Sequence, residues 1–155
     1  MISRQTSAER INEIANHESV YPWICGPIEG PLDLKEPVES GDYIALLDEH
    51  GGFLFWKIAD GIYDAHSIVL PEGRGRWAIK TAKAALKWMF ENERASEIMM
   101  AAPKGNLAVL SLIRVLKAKF LGTIESGWWL KGQPVDCDIY SLTKTDWEKC
   151  QQPSH

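Results

Sequence analysis

Cysteine is scarce here: Cys25, Cys137 and Cys150 are the three in 155 residues. They are odd in number, widely spaced and lack a CxxC pair. That pattern excludes a disulfide framework and the common zinc spacings, and it predicts a reducing, cytoplasmic setting. Long apolar runs are missing as well. No stretch approaches the roughly 20 residues that cross a bilayer, and "MISRQTSAER" lacks the apolar segment of a secretory signal. The expectation is a domain that works away from membranes. Positive charge is not in excess: 17 Lys and Arg face 21 Asp and Glu, a formal net charge of −4. A dedicated nucleic-acid binder is usually basic over its whole domain, so nucleic acid is not the expected partner. There is no GxSxG, HExxH or Walker pattern. His17, His50 and His155 are scattered, and no metal site is expected. No internal repeat or low-complexity tract is visible.

What remains has the content of one folded domain, residues 1–150, followed by a short tail, 151–155. Hydrophobic residues make up 45% of the chain, enough to bury a core without staples. Thr6 or Ser7 can cap a first helix over "AERINEIANH", where Ile11, Ile14 and Ala15 fall at helical spacing. Tyr21 to Glu39 holds four Pro and two Gly and reads as a loop, with a short helical turn near Val20 to Ile24. "DYIALLDE", a His50-Gly51-Gly52 turn and "FLFWKIA" make a hairpin. Asp60-Gly61 turns into a third strand, "IYDAHSIVL", which ends at Pro71.

A helix follows from about Arg76 to Glu91, with Ala78, Ala82, Ala85 and Met89 on one stripe. "EIMMAA" is wholly apolar, as a strand covered on both faces should be. A second helix is predicted from Leu107 to about Lys119, its basic end suiting the negative pole of the helix dipole. "LGTIESGWWL", a Lys131-Gly132 turn and "VDCDIYSLT" close the chain as a hairpin. The order predicts a mixed sheet with helices on both faces, an α/β or α+β domain.

The sharpest chemical signal is "VLPEGRGR", where a strand passes through Pro71 into a helix. A helix start offers unpaired N–H donors and partial positive charge, which suit a phosphate. Gly73 and Gly75 allow close backbone approach, and Arg74 and Arg76 add charge-assisted bonds. An ordinary tight turn with surface arginines accounts for the same residues. Arg76, Lys80, Lys83 and Lys87 form a basic stripe; the first two can reach a phosphate, and the last two read as a solvated face.

Asn106 can cap the second helix with or without a ligand. His66 can serve as a base near neutral pH, with Asp64 on the same strand face to tune it, or can be a packed strand residue. Tyr140 can protonate a leaving thiolate or simply favour its strand. Trp128 and Trp129 point to opposite faces, so one should be buried and the other should cover a groove, a partner or an edge.

From Asp42 to Trp147, order and motif together resemble the GNAT acyltransferases. Many members carry V-x-P-E-x-R-G-x-G-x-G/A before the first long helix; Val69, Pro71, Glu72, Arg74 and Gly75 match it here. Asn106 matches the Asn that opens the later helix, Gly122 the Gly beyond it, and "DIYSL" the last strand. "ERINEIANHESVYPWI" and the Trp-rich hairpin are similar to small GNAT-like proteins of tailed phages.

The resemblance implies a GNAT-like, mostly antiparallel mixed sheet and an acyl-CoA-dependent N-acyltransferase using acetyl-CoA as co-substrate. By it, the backbone of Ile68, Val69 and Leu70 holds the pantetheine arm. Gly73, Arg74, Gly75 and Arg76, with Asn106, hold the pyrophosphate. His66 is the base, Tyr140 the acid, and an amine, of a small molecule or a protein, the acceptor. Departures point the other way. Trp77 and Ile79 stand where the loop has small residues, although a one-residue gap puts Ala78 in one of those places. Ile113 stands where a Tyr is usual, and Lys117 where a Gly is usual. The alternative is a GNAT-shaped phage protein without turnover, in a virion or against a host protein. The edge of the closing hairpin suits a homodimer.

Overall fold

The first strand is one that the sequence hides. In the computed structural model, which describes residues 1–151, β1 (Ser3–Gln5) pairs antiparallel with β2 (Tyr43–Asp48), Ser3 opposite Leu47. Its residues are polar and show no apolar alternation, so only the partner strand holds them extended. β2, β3 (Gly51–Ala59) and β4 (Ile62–Val69) then form the expected meander. Gly51 and Gly52 open β3 rather than form the turn, which falls on Glu49 and His50.

Three short helices lie between β1 and β2: α1 (Glu9–Ala15), α2 (Tyr21–Ile24) and α3 (Lys35–Glu39). Ser7 Oγ accepts from the Glu9 N–H at 3.3 Å, but Ala8 occupies the cap position of α1. The Pro-rich segment is braced by side chains of α1 and its end: Asn16 Oδ1 accepts from Leu32 N–H and Asn12 Oδ1 from Leu34 N–H, at 2.7 and 2.8 Å.

After β4 a 3-10 turn, Pro71–Gly73, leads into α4 (Arg76–Asn92), and α4 returns the chain to β5 (Glu97–Pro103). β5 pairs parallel with β4, the one parallel pair among the described residues. α5 (Leu107–Val115) precedes the hairpin of β6 (Lys119–Leu130) and β7 (Gln133–Thr143), and α6 (Lys144–Gln151) ends the described chain. The expected tail beyond Gln151, with His155, lies outside the described residues. The sheet order is β1-β2-β3-β4-β5-β7-β6, so β7 inserts beside β5 and leaves β6 at the edge.

α5 stops four residues before the expected Lys119. Lys117 turns left-handed at φ 60°, which breaks the helix, and Lys119 already belongs to β6. The left-handed turn sits where the resemblance implies Gly.

Each sheet face carries a core. On one, Phe53, Phe55, Tyr63, Ile98, Met100 and Leu142 pack under Ala82, Ala85, Leu86, Met89 and Phe90 of α4, Ile113 of α5 and Trp147 of α6. On the other, Ala45, Leu47, Leu54 and Ile68 pack against Ile11 and Ile14 of α1 and Val38 of α3. Each large apolar side chain so buried contributes about 1.5–3 kcal/mol. Among the described residues no helix is long and apolar enough to cross a membrane.

Candidate active site

β4 and β5 are hydrogen-bonded neighbours for only part of their length. The parallel register runs from Ile62 opposite Glu97 to Ala65 opposite Met100. Beyond that pair β4 continues to Val69 and β5 to Pro103 without pairing, so the two strands splay apart. The strand-pairing groups left open on β4 are those of Ser67 and Val69. Leu70 N–H is bound to the His50 carbonyl at 2.9 Å, and strand alternation turns Ile68 the same way, toward β3. Of the backbone expected to line the gap, Val69 does so, while Ile68 and Leu70 do not. Ile68 is fully buried in the core on the α1 side.

The splay opens into a cleft of about 480 Å³. Ser67 and Val69 of β4, Gly75, Ala78 and Ile79 at the start of α4, and Asn106 to Val109 at the start of α5 line it. Arg74 lies at its rim and donates to the Ser19 carbonyl at 3.3 Å. The N–H donors of the 3-10 turn are occupied: Gly73 binds Leu70 O at 2.9 Å and Arg74 binds Pro71 O at 3.3 Å. The first bond of α4 runs from Ile79 N–H to Gly75 O, and no side chain caps the helix. The unused donors are therefore those of Gly75, Arg76, Trp77 and Ala78, two residues further on than the Gly73 to Arg76 set expected from sequence. Gly75 takes φ 89°, a conformation that a Cβ resists.

Trp77 does not enter the cleft. Its indole packs on His50, ring centroids 5.2 Å apart, across Gly73. A Cβ at Gly73 would fall 2.6 Å from His50 Cβ and 2.8 Å from the indole, so the glycine is what allows the ring to lie outward. Ala78 and Ile79 both line the cleft at the start of the helix. Asn106 is a true cap: its Oδ1 accepts from Val109 N–H at 3.2 Å, and the residue also borders the cleft.

Beneath the cleft, at the last bridged pair of β4 and β5, is a second, inner cavity of about 70 Å³. Trp23, Ser67, Asn106, Val109 and Leu112 border both spaces. His66 and Trp128 border the inner one, and their rings lie 5.8 Å apart. Trp128 Nε1–H donates to the Trp23 carbonyl at 2.7 Å and so fastens the hairpin over α2. Of the tryptophan pair, Trp128 covers the groove and Trp129 faces solvent. His66 Nε2 is 3.4 Å from an Asp64 carboxylate oxygen, and both side chains are partly buried. A carboxylate there favours the tautomer that protonates Nε2 and leaves Nδ1 free to accept a proton.

Tyr140 does not join this group. It stands opposite Met100, which stands opposite Ala65, and all three belong to the core under α4 and α5. His66 stands opposite Leu54 in the other core. The two residues expected to act together thus point to opposite faces of the sheet, and the Tyr140 ring packs on Phe120 at 5.5 Å. The expected pairing of base and acid is corrected on that ground.

Two residues that sequence reasoning passed over belong to this region. Trp23 walls both cavities from within the Pro-rich segment, and Ser67 lines the open strand edge; neither carries a local sequence signal. Cys137, opposite Pro103, is no nucleophile: burial, then the charges of Asp138 and Asp64, push its thiol up to about 11, so it stays protonated at neutral pH. Burial first, and Asp64 second, also raise the Tyr43 phenol. Among the described residues no three His, Cys, Asp or Glu side chains gather to hold a metal ion.

Solved structures share this architecture. Spermidine N-acetyltransferase from Vibrio cholerae, in complex with CoA and spermine, superposes with a TM-score of 0.76 at 12% identity, covering 96% of this chain and 97% of that one. Ribosomal-protein-S5-alanine acetyltransferase from Vibrio fischeri gives 0.73 at 15% identity over 98% and 94%. A probable acetyltransferase gives 0.71 at 18% over 94% of each chain. Such identities show a shared fold, the GNAT fold, in agreement with the sequence expectation. No curated protein matches the sequence. Residues 45–153 match the model of a family described as a protein of unknown function, DUF2824. That match takes in the splayed strands, both cleft helices and the closing hairpin, and the chain is a GNAT-fold member of the DUF2824 family.

Proposed function

We propose that the chain is an acyl-CoA-dependent N-acyltransferase. The observation that carries the reading is the ending of the β4–β5 ladder at Ala65 and Met100, which opens the sheet directly beneath the uncapped start of α4. A diphosphate fits the donors of Gly75 to Ala78, with Arg74 adding charge. The arm fits along Ser67 and Val69, and its thioester reaches the level of His66. Spermidine N-acetyltransferase, the CoA-bound relative, lends the reading its analogy.

An amine enters from the opposite sheet face, under Trp128 and the segment after α2. His66 Nδ1, directly or through a water, takes a proton from the ammonium. The amine nitrogen attacks the thioester carbon, the C–N bond forms and the C–S bond breaks. The thiolate leaves with the bonding electrons, and the second proton, shed by the new amide nitrogen, passes through water to the thiolate sulfur. Positioning and amine deprotonation supply the rate gain.

Calorimetry with acetyl-CoA tests the first half. Micromolar binding that Arg74→Ala weakens at least about tenfold is expected from losing one charge-assisted contact. No binding at millimolar ligand ends the proposal. Thiol release with a panel of amines tests the second half: His66→Ala should slow it about a hundredfold. An unchanged rate removes His66 from the base role. A second reading, a GNAT fold without turnover, draws support from Ile113 and from the far-side placement of Tyr140, which leave no tyrosine phenol at the thioester. Binding of acetyl-CoA without thiol release from any amine identifies it.

A further inference from the structure

The inner cavity has a chemistry of its own. Phe55, Leu86, Met100, Ile113 and Leu116, all buried, form its floor. His66 at the mouth is the one titratable side chain on its wall, and the wall carries no charged one. Close-packed interiors leave few voids larger than a water molecule, because the lining atoms of a void lose their contacts. This half-open hollow lies where the splay begins, beside Ala65 and Met100. An arm laid from the start of α4 along Val69 and Ser67 ends there.

We infer that the acyl donor carries a neutral aliphatic chain longer than acetyl, of about four carbons. The inference rests on the acyl-CoA reading and names the donor class within it. An apolar cavity of about 150 Å³ accepts benzene. The inner cavity, at about 70 Å³, is half that, so it takes three carbons beyond the carbonyl. A terminal carboxylate, as in a succinyl group, finds no cation or donor at the floor and would be buried unpaired.

The test is a calorimetric series on the intact protein with CoA, acetyl-, butyryl-, hexanoyl- and succinyl-CoA. Each buried methylene tightens binding about fourfold, so butyryl-CoA, with two more, should bind roughly fifteenfold more tightly than acetyl-CoA. Hexanoyl-CoA should gain nothing further, and succinyl-CoA should bind more weakly than acetyl-CoA. Ala82→Leu, which fills the cavity from α4, should erase the preference for butyryl while circular dichroism shows the fold intact. Should that variant not fold, the wild-type series decides by itself. A flat series, acetyl-CoA as the tightest ligand, or succinyl-CoA equal to butyryl-CoA overturns the chain-length inference while the acyltransferase reading stands. Failure of CoA and every thioester to bind overturns both.

Discussion

α4 and α5 both begin at the cleft, and they begin differently. α5 closes its own first turn with the Asn106 side chain. α4 has Gly75 at the cap position, no side-chain acceptor and four N–H groups without a partner in the described chain. A helix start left bare beside a cleft is a place for an anion, and a helix start that is capped is a place for stability. The same contrast separates the two glycines. Around Gly73, ahead of α4, there is no room for a Cβ; around Gly105, ahead of α5, the nearest atom to one would be Trp23 at 3.9 Å.

The steric part of the contrast gives the largest effect. Gly73→Val should cost about 2–3 kcal/mol through the clash with His50 and Trp77. Gly105→Ala should cost only the backbone term of its positive φ, about 1 kcal/mol. Urea midpoints measure both, and equal losses would erase the distinction. Next is the cap. Asn106→Ala should lose about 1 kcal/mol of stability, and Asn106→Asp should keep it. If Asn106→Ala were neutral, α5 would start as bare as α4 and the comparison would fail. The smallest effect is at the far end of α5, where Lys117→Gly should raise stability by about 0.5 kcal/mol by relieving φ 60°. Thermal melts read it, and a lower midpoint would mean that the Lys117 side chain has a role at that turn.

Much of the frame was legible because it is local. The stripe of Ala78, Ala82, Ala85 and Met89 gave α4, the apolar run from Glu97 gave β5, and Pro and Gly marked the joints. The elements that were missed have no local signal. β1 is three polar residues held by β2, and α6, "KTDWEKCQ", buries Trp147 alone.

The site was legible in kind and not in detail. "VLPEGRGR" pointed to the turn beside the cleft, but which N–H groups stay free depends on the 3-10 turn that uses those of Gly73 and Arg74. Likewise, His66 and Tyr140 each looked suitable in its own strand. Which faces they share is decided by a register running from β4 through β5 to β7, across residues far apart in sequence.

The bond from the Trp128 indole to the Trp23 carbonyl spans 105 positions. The roof of the inner cavity therefore needs both an early and a late stretch of the polypeptide. During synthesis Trp23 emerges long before Trp128, so this bond can form only once the closing hairpin has been made.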